Sequence, residues 1–149
     1  MATLAAVCRH PDVFRAAVGD VVRSLASHGW NRVVIVNGHG GNTTALREVG
    51  RELTSSGVGY VTSFTWFDAL DLDRFNDDAV KMGHAGPIET AALLATHPDL
   101  VRTDRLDAGA AGAADRWGEW VSGVNLAYGV DEFSDSGAVG DPRAGDADL

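Results

Sequence analysis

Apolar positions follow two clear rhythms along the first two thirds of this chain and lose them afterwards. Behind Pro11-Asp12, residues Val13, Phe14, Ala17, Val18, Val21, Val22 and Leu25 recur at helical spacing. Asp12 is the predicted N-cap of that helix, and Gly29 its stop after His28. Arg32–Val36 is a short continuous apolar run, the pattern of a strand buried on both faces of a parallel sheet. Asn42 or Thr43 caps a second helical pattern through Ala45, Leu46, Val49 and Leu53, ending near Ser55-Ser56-Gly57. Val58–Phe64 predicts a second strand, and Pro87 opens a helix reaching about Thr96. Between them, Trp66–Leu70 and the acidic stretch to Asp78 form a connection without a definite pattern. Strand, helix, strand and helix make a βαβ-type α/β layer.

From Asp107 the periodicity fades. Ala108–Ala114 is low in complexity and reads as loop, while Asp135–Leu149, rich in Gly and Asp, reads as extended or frayed. Trp117, Trp120, Val121, Val124, Leu126 and Tyr128 are expected to pack back onto the domain or onto another subunit. No internal repeat is present. The chain reads as one domain over residues 1–149, with a loop-rich segment from about 107 to 149.

Composition narrows the function classes. A net charge of −9, with 21 acidic residues against 12 basic ones and no basic patch, argues against nucleic acid and anionic membranes as partners. The preference for Asp and Arg over Glu and Lys fits both a brine-adapted surface and codon bias. No run approaches the roughly 20 apolar residues of a membrane span, and the first residues lack a charged leader, so a signal peptide is not expected. Cys8 is the single cysteine, which suits a reducing cytoplasm and reads as a small buried hydrophobe.

Candidate chemistry concentrates in two polar loops, Asn37-Gly38-His39-Gly40-Gly41-Asn42 and Gly83-His84-Ala85-Gly86-Pro87-Ile88-Glu89-Thr90. Open α/β sheets place ligands in strand-to-helix turns, and two such loops suggest one shared site. A neutral imidazole among glycines is a good transition-metal ligand. The same turn also suits an anion nest at a helix N-terminus or an ordinary connection. No dinucleotide or P-loop spacing fits, and no Gly-x-Ser-x-Gly occurs. Glu89 falls in the first helical turn, where it serves as a capping carboxylate, as a metal ligand, or as an orienter of His84 acting as general acid. Trp66 follows the second strand, positioned either to close over a small polar substrate or to fill the core. His10, His28 and His97 sit at element boundaries and read as surface or capping residues.

These loops, with the helix Val13–His28, His97-Pro98-Asp99-Leu100-Val101 and Gly140-Asp141-Pro142, resemble the creatininase (creatinine amidohydrolase) family. The resemblance implies an α/β fold: a three-layer sandwich around a mostly parallel sheet, commonly assembled as a homo-oligomer. It implies hydrolysis of an amide or cyclic amide in a small molecule with one or two divalent metals, zinc, manganese or iron. On that pattern His39 is a metal ligand and His84 the proton donor to the leaving nitrogen. Glu89 shares the active-site loop, and Trp66, Gly40, Gly41 and Asn42 are candidate substrate contacts. Creatininase itself carries a metal-binding glutamate where this chain has Gly41, and a tryptophan where Val80 and Lys81 stand, so creatinine is not the expected substrate. The family's first metal motif, Glu-x-His followed by Asp, has no counterpart here, since no Glu precedes Glu48. The expectation is therefore an N-terminally truncated, C-terminal part of such an enzyme, inactive or nearly so alone. A non-catalytic oligomerisation or regulatory module is the alternative. A phosphate-binding domain is opposed by the charge.

Overall fold

Proline fixes φ near the helical value and lacks an N–H that the first turn would leave unpaired, so Pro11 starts the first helix. In the computed structural model, which describes residues 10–70, 83–127 and 129–148, this helix is α1, Pro11–Ser27. His10 occupies the N-cap position, not Asp12; Asp12 lies in the first turn, where its carboxylate meets the helix dipole and pairs with Arg15 at 2.9 Å. His28 closes the helix, with its Nδ1 2.8 Å from the Ser24 carbonyl oxygen. Cys8, the acidic stretch from Asp71 to Asp78, Val80, Lys81 and Tyr128 lie outside the described residues. The chain divides into two units, Met1–Asp71 and Leu72–Leu149.

In the first unit α1 leads to β1 (Arg32–Asn37), a short 3-10 turn over Gly40–Asn42, α2 (Thr43–Ser55) and β2 (Tyr60–Thr65). The strands pair in parallel, in register from Arg32 opposite Tyr60 to Asn37 opposite Thr65. Side chains alternate across a strand. Val33 and Ile35 on β1 and Val61 on β2 therefore pack against α1 and α2, in a core built around Val22, Val49 and Leu53, with Phe14, Ala45 and Leu46 continuing it. Leu53 is fully buried, worth about 1.5–3 kcal/mol relative to an exposed leucine. Two ion pairs, Arg15–Glu48 at 2.5 Å and Arg23–Glu52 at 3.0 Å, bridge the helices on their outer side.

The opposite sheet face corrects the expectation of a strand buried on both sides. Val34, Val36 and Tyr60 are 63%, 71% and 64% exposed, and Phe64 is exposed as well. Both packed helices contribute their apolar stripes to the face of Val33, Ile35 and Val61, and the period-2 alternation points the remaining side chains to solvent.

The second unit contains α3 (Pro87–Thr96), α4 (Leu106–Ala111) and a small antiparallel hairpin of β3 (Trp120–Val121) and β4 (Val124–Asn125), linked by 3-10 turns. Two expectations fail here. The Ala108–Ala114 stretch is helical as far as Ala111, because alanine's high helix propensity prevails until Gly112. The segment after Asp135 is not frayed: Ala138, Val139 and Pro142 are buried, and Val139 makes β-bridges to both His84 and Ala114. Of the apolar residues expected to pack back, Trp117 does so against Phe133, with ring centroids 5.2 Å apart. Trp120, Val121, Val124 and Leu126 stay exposed on or beside the hairpin. Among the described residues no helix is long and apolar enough to cross a membrane.

Candidate active site

The turn carrying His39 is organised by the residue that ends β1. Asn37 is buried, and its side-chain amide reaches four partners in the turn and its surroundings. Its Nδ2 donates to the His39 carbonyl at 2.8 Å and to Thr65 Oγ1 at 3.2 Å, with Thr43 Oγ1 further off at 3.4 Å. Its Oδ1 accepts from the His39 N–H at 3.2 Å and from Asn42 Nδ2 at 3.3 Å. An amide has two donor hydrogens and two acceptor lone pairs, so this set saturates it. The His39 ring is half-buried and folds over Gly41, where an added Cβ would lie 2.9 Å from Nε2.

Trp66 and Phe67 begin the 3-10 turn that follows β2, and their rings meet edge to face at 5.7 Å. A Cβ on Gly40 would touch Phe67 at 3.6 Å, an ordinary contact, so the turn after β2 rests on the turn after β1. His39, Gly40, Gly41, Asn42 and Trp66 thus share the carboxyl edge of one parallel strand pair, where α/β sheets bind ligands. Beside them lies a cavity of about 200 Å³, with Phe14, Val18, Ile35 and Leu46 as its apolar wall and Asn37 and His39 on its polar side.

His84 is held differently, through its backbone. Its N–H donates to the Val139 carbonyl at 3.2 Å and its carbonyl accepts from the Val139 N–H at 2.7 Å. The Val139 carbonyl lies so close to the loop that a Cβ at Gly83 or Gly86 would stand only 1.9 or 2.5 Å from its oxygen. Both positions therefore require glycine. Ala85 carries a positive φ of 48°, sparsely populated for a residue with a side chain, and Glu89 Oε2 accepts its N–H at 2.5 Å. Glu89 thereby caps its own loop, the first of the roles expected of it. The His84 ring meets Trp117 edge to face at 6.0 Å.

The tail that supplies Val139 is pinned at its far end by Asp141. That carboxylate accepts from the Arg143 backbone and from its guanidinium at 2.7 Å, while Arg143 reaches Asp107 at 3.2 Å. The Arg143 hydrogen bonds hold the Asp141 carboxyl below its ordinary value.

A catalytic zinc takes three protein ligands and keeps one position open. His39 offers one imidazole, yet among the described residues no three His, Cys, Asp or Glu side chains converge on a point. The described residues alone do not fit a complete metal centre. The hydrogen-bonding role of Asn37 and Thr65 and the contacts of Trp117 and Val139 with His84 are not foreseen from the sequence. A polar residue closing the apolar run Val33–Val36 is a usable signal for Asn37; Thr65 follows Thr62 and Ser63 in β2 and gives none, and Trp117 and Val139 lie far along the chain from His84.

The creatininase (creatinine amidohydrolase) family model matches residues 6–149. A mycofactocin precursor peptide peptidase from Mycobacterium ulcerans (strain Agy99) is 37% identical over 117 residues, covering 78% of this chain and 41% of that protein. A creatinine amidohydrolase from Pseudomonas putida is 32% identical over 102 residues, covering 60% of this chain and 39% of that protein. Among solved structures, a tryptophan-to-phenylalanine mutant creatininase superposes with a TM-score of 0.66 at 23% identity, over 93% of this chain and 56% of the other. A structure named Creatininase Mn gives 0.65 at 22% identity, over 93% and 57%. The fold is thus that of creatininases, while this chain spans about two fifths of the length of the curated relatives it matches.

Proposed function

The chain belongs to the creatininase family, and from that premise we propose that it carries the proton-donating part of a hydrolase acting on a C–N amide or cyclic amide bond, not that of creatinine. The observation that carries this reading is the construction of the His84 loop. Two glycines, a backbone bridge to Val139 and a carboxylate cap on Ala85 fix one half-buried imidazole against Trp117. Such support is what a general acid needs to meet a leaving nitrogen at hydrogen-bond distance. In the proposed step water adds to the amide carbonyl carbon, the C–N bond breaks, and the nitrogen departs with the proton from His84. The imidazole regains a proton from the added water. Glu89 positions the loop; in the first unit, Trp66, Gly40, Gly41 and Asn42 are proposed as substrate contacts from the family resemblance.

His39 is proposed as one donor to a divalent ion, zinc, manganese or iron, whose other ligands come from outside the described residues. The first experiment is metal uptake by the chain beside His39→Ala, followed by amine release from a panel of amides. We expect zinc or manganese binding weakened about tenfold or more by His39→Ala, and the small amine release expected of this chain to fall to background in His84→Ala with metal binding unchanged. No metal uptake by either protein would overturn the reading. That result would favour a non-catalytic oligomerisation module, for which the exposed face of Val34, Val36 and Tyr60 speaks. On that second reading the partner is another copy of the chain.

A further inference from the structure

We infer that Asn37 is a positioning residue that locks the His39 turn to the Thr65–Trp66 junction, so that the two strand ends present their site residues as one edge. The inference rests on reading His39 and Trp66 as site residues; the lock itself rests on geometry alone. Paired residues of adjacent strands project to the same face. On the helix-facing side the pairs run Val33 with Val61, Ile35 with Ser63 and Asn37 with Thr65, changing from apolar to polar toward the carboxyl end. Packing alone would favour another apolar pair at that buried last position, where Asn37 and Thr65 are each 3% exposed.

What the polar pair adds is direction. The Asn37 amide ties together groups from four pieces of chain: both backbone groups of His39, the side chain of Asn42, Thr43 at the start of α2, and Thr65 at the end of β2. Thr65 Oγ1 is also 3.5 Å from Thr43 Oγ1, so the hydroxyls close the set on themselves. The residue after Thr65 is Trp66, and Phe67 beyond it rests near Gly40, which makes a second link between the same two turns. An apolar residue at 37 would leave the His39 N–H without its acceptor at a half-buried site, and the turn would find other conformations.

The test uses the full chain with Thr65→Val, Thr65→Ser and Asn37→Asp. Thr65→Val keeps the shape and removes the hydroxyl, Thr65→Ser restores it, and Asn37→Asp keeps the acceptor and removes the donor. The readouts are the His39 imidazole and amide NMR signals and the hydrogen exchange of its amide. We expect Thr65→Val and Asn37→Asp to move the imidazole signals and to speed His39 amide exchange about tenfold, with Leu53 and Val61 amides unchanged; Thr65→Ser should match the parent. Unmoved His39 signals in both Thr65→Val and Asn37→Asp would overturn the inference. So would equal acceleration at Leu53 and Val61, which marks general loosening. A zinc titration of the parent and His39→Ala judges the ligand reading separately: equal uptake, or none, defeats that reading while the NMR result still decides the lock.

Discussion

The two units hold their histidines by opposite means. In the first, regular elements come first: α1, α2, β1 and β2, joined by short turns, bury a cluster around Val22, Val49 and Leu53, and a saturated side-chain amide then fixes His39. In the second, backbone comes first: the tail at Val139 bridges His84 on one side and Ala114 on the other, with glycines making room. Apolar burial is spread over many contacts and tolerates small changes, whereas a backbone clasp depends on a few positions where a single added carbon does not fit. One histidine is protected by redundancy, the other by exclusion.

This contrast breaks most visibly at Leu53. Leu53→Ala should cost about 2–5 kcal/mol through lost transfer energy and the cavity left behind. Hydrogen exchange should then show faster amides on α2 and β2 with the His84 and Val139 amides still protected. Loss of protection in both units together would dissolve the distinction. A smaller effect is expected from Gly83→Ala, which sets a methyl group against the Val139 carbonyl and should cost about 1–3 kcal/mol. Its signature is faster exchange at His84 and Val139 and altered Trp117 fluorescence, with Leu53 amides unchanged. The smallest concerns Asp141. Its carboxyl is held below the ordinary value of 3.8 by the Arg143 hydrogen bonds, so the stabilisation is complete above that value and fades as pH falls through the lowered one. Asp141→Asn should remove that part of the acid dependence from the second unit, with little change near neutral pH, since the pair is on the surface. Acid titration of Val139 amide protection in both proteins checks it.

Legibility in the sequence followed the range of the forces involved. Strand β1, helix α2 and strand β2 are written locally, by apolar periodicity and by the glycine turn, and the structure places them within a residue or two of the expected limits. Helix α3 begins at Pro87 as proline chemistry demands. The two site loops stood out because glycine and histidine at strand ends are conspicuous. The tail was misread because nothing within Asp135–Leu149 is periodic: its order comes from hydrogen bonds to His84 and Ala114, partners remote in the chain. The exposed sheet face was misread for the opposite reason. Val34 and Val36 are as apolar as their neighbours, and residue type alone does not tell which side of a strand is covered.

The crowding at Gly83 and Gly86 also constrains heredity. Every amino-acid replacement of glycine introduces a residue with a Cβ, and at these positions that atom would overlap the Val139 carbonyl oxygen. No conservative first step leads away from glycine there, so the loop has no gradual mutational route to a different shape. In a saturation library selected for folded protein, these two codons would be among those emptied of alternatives, while the exposed strand positions Trp120, Val121 and Val124 accept wide variety.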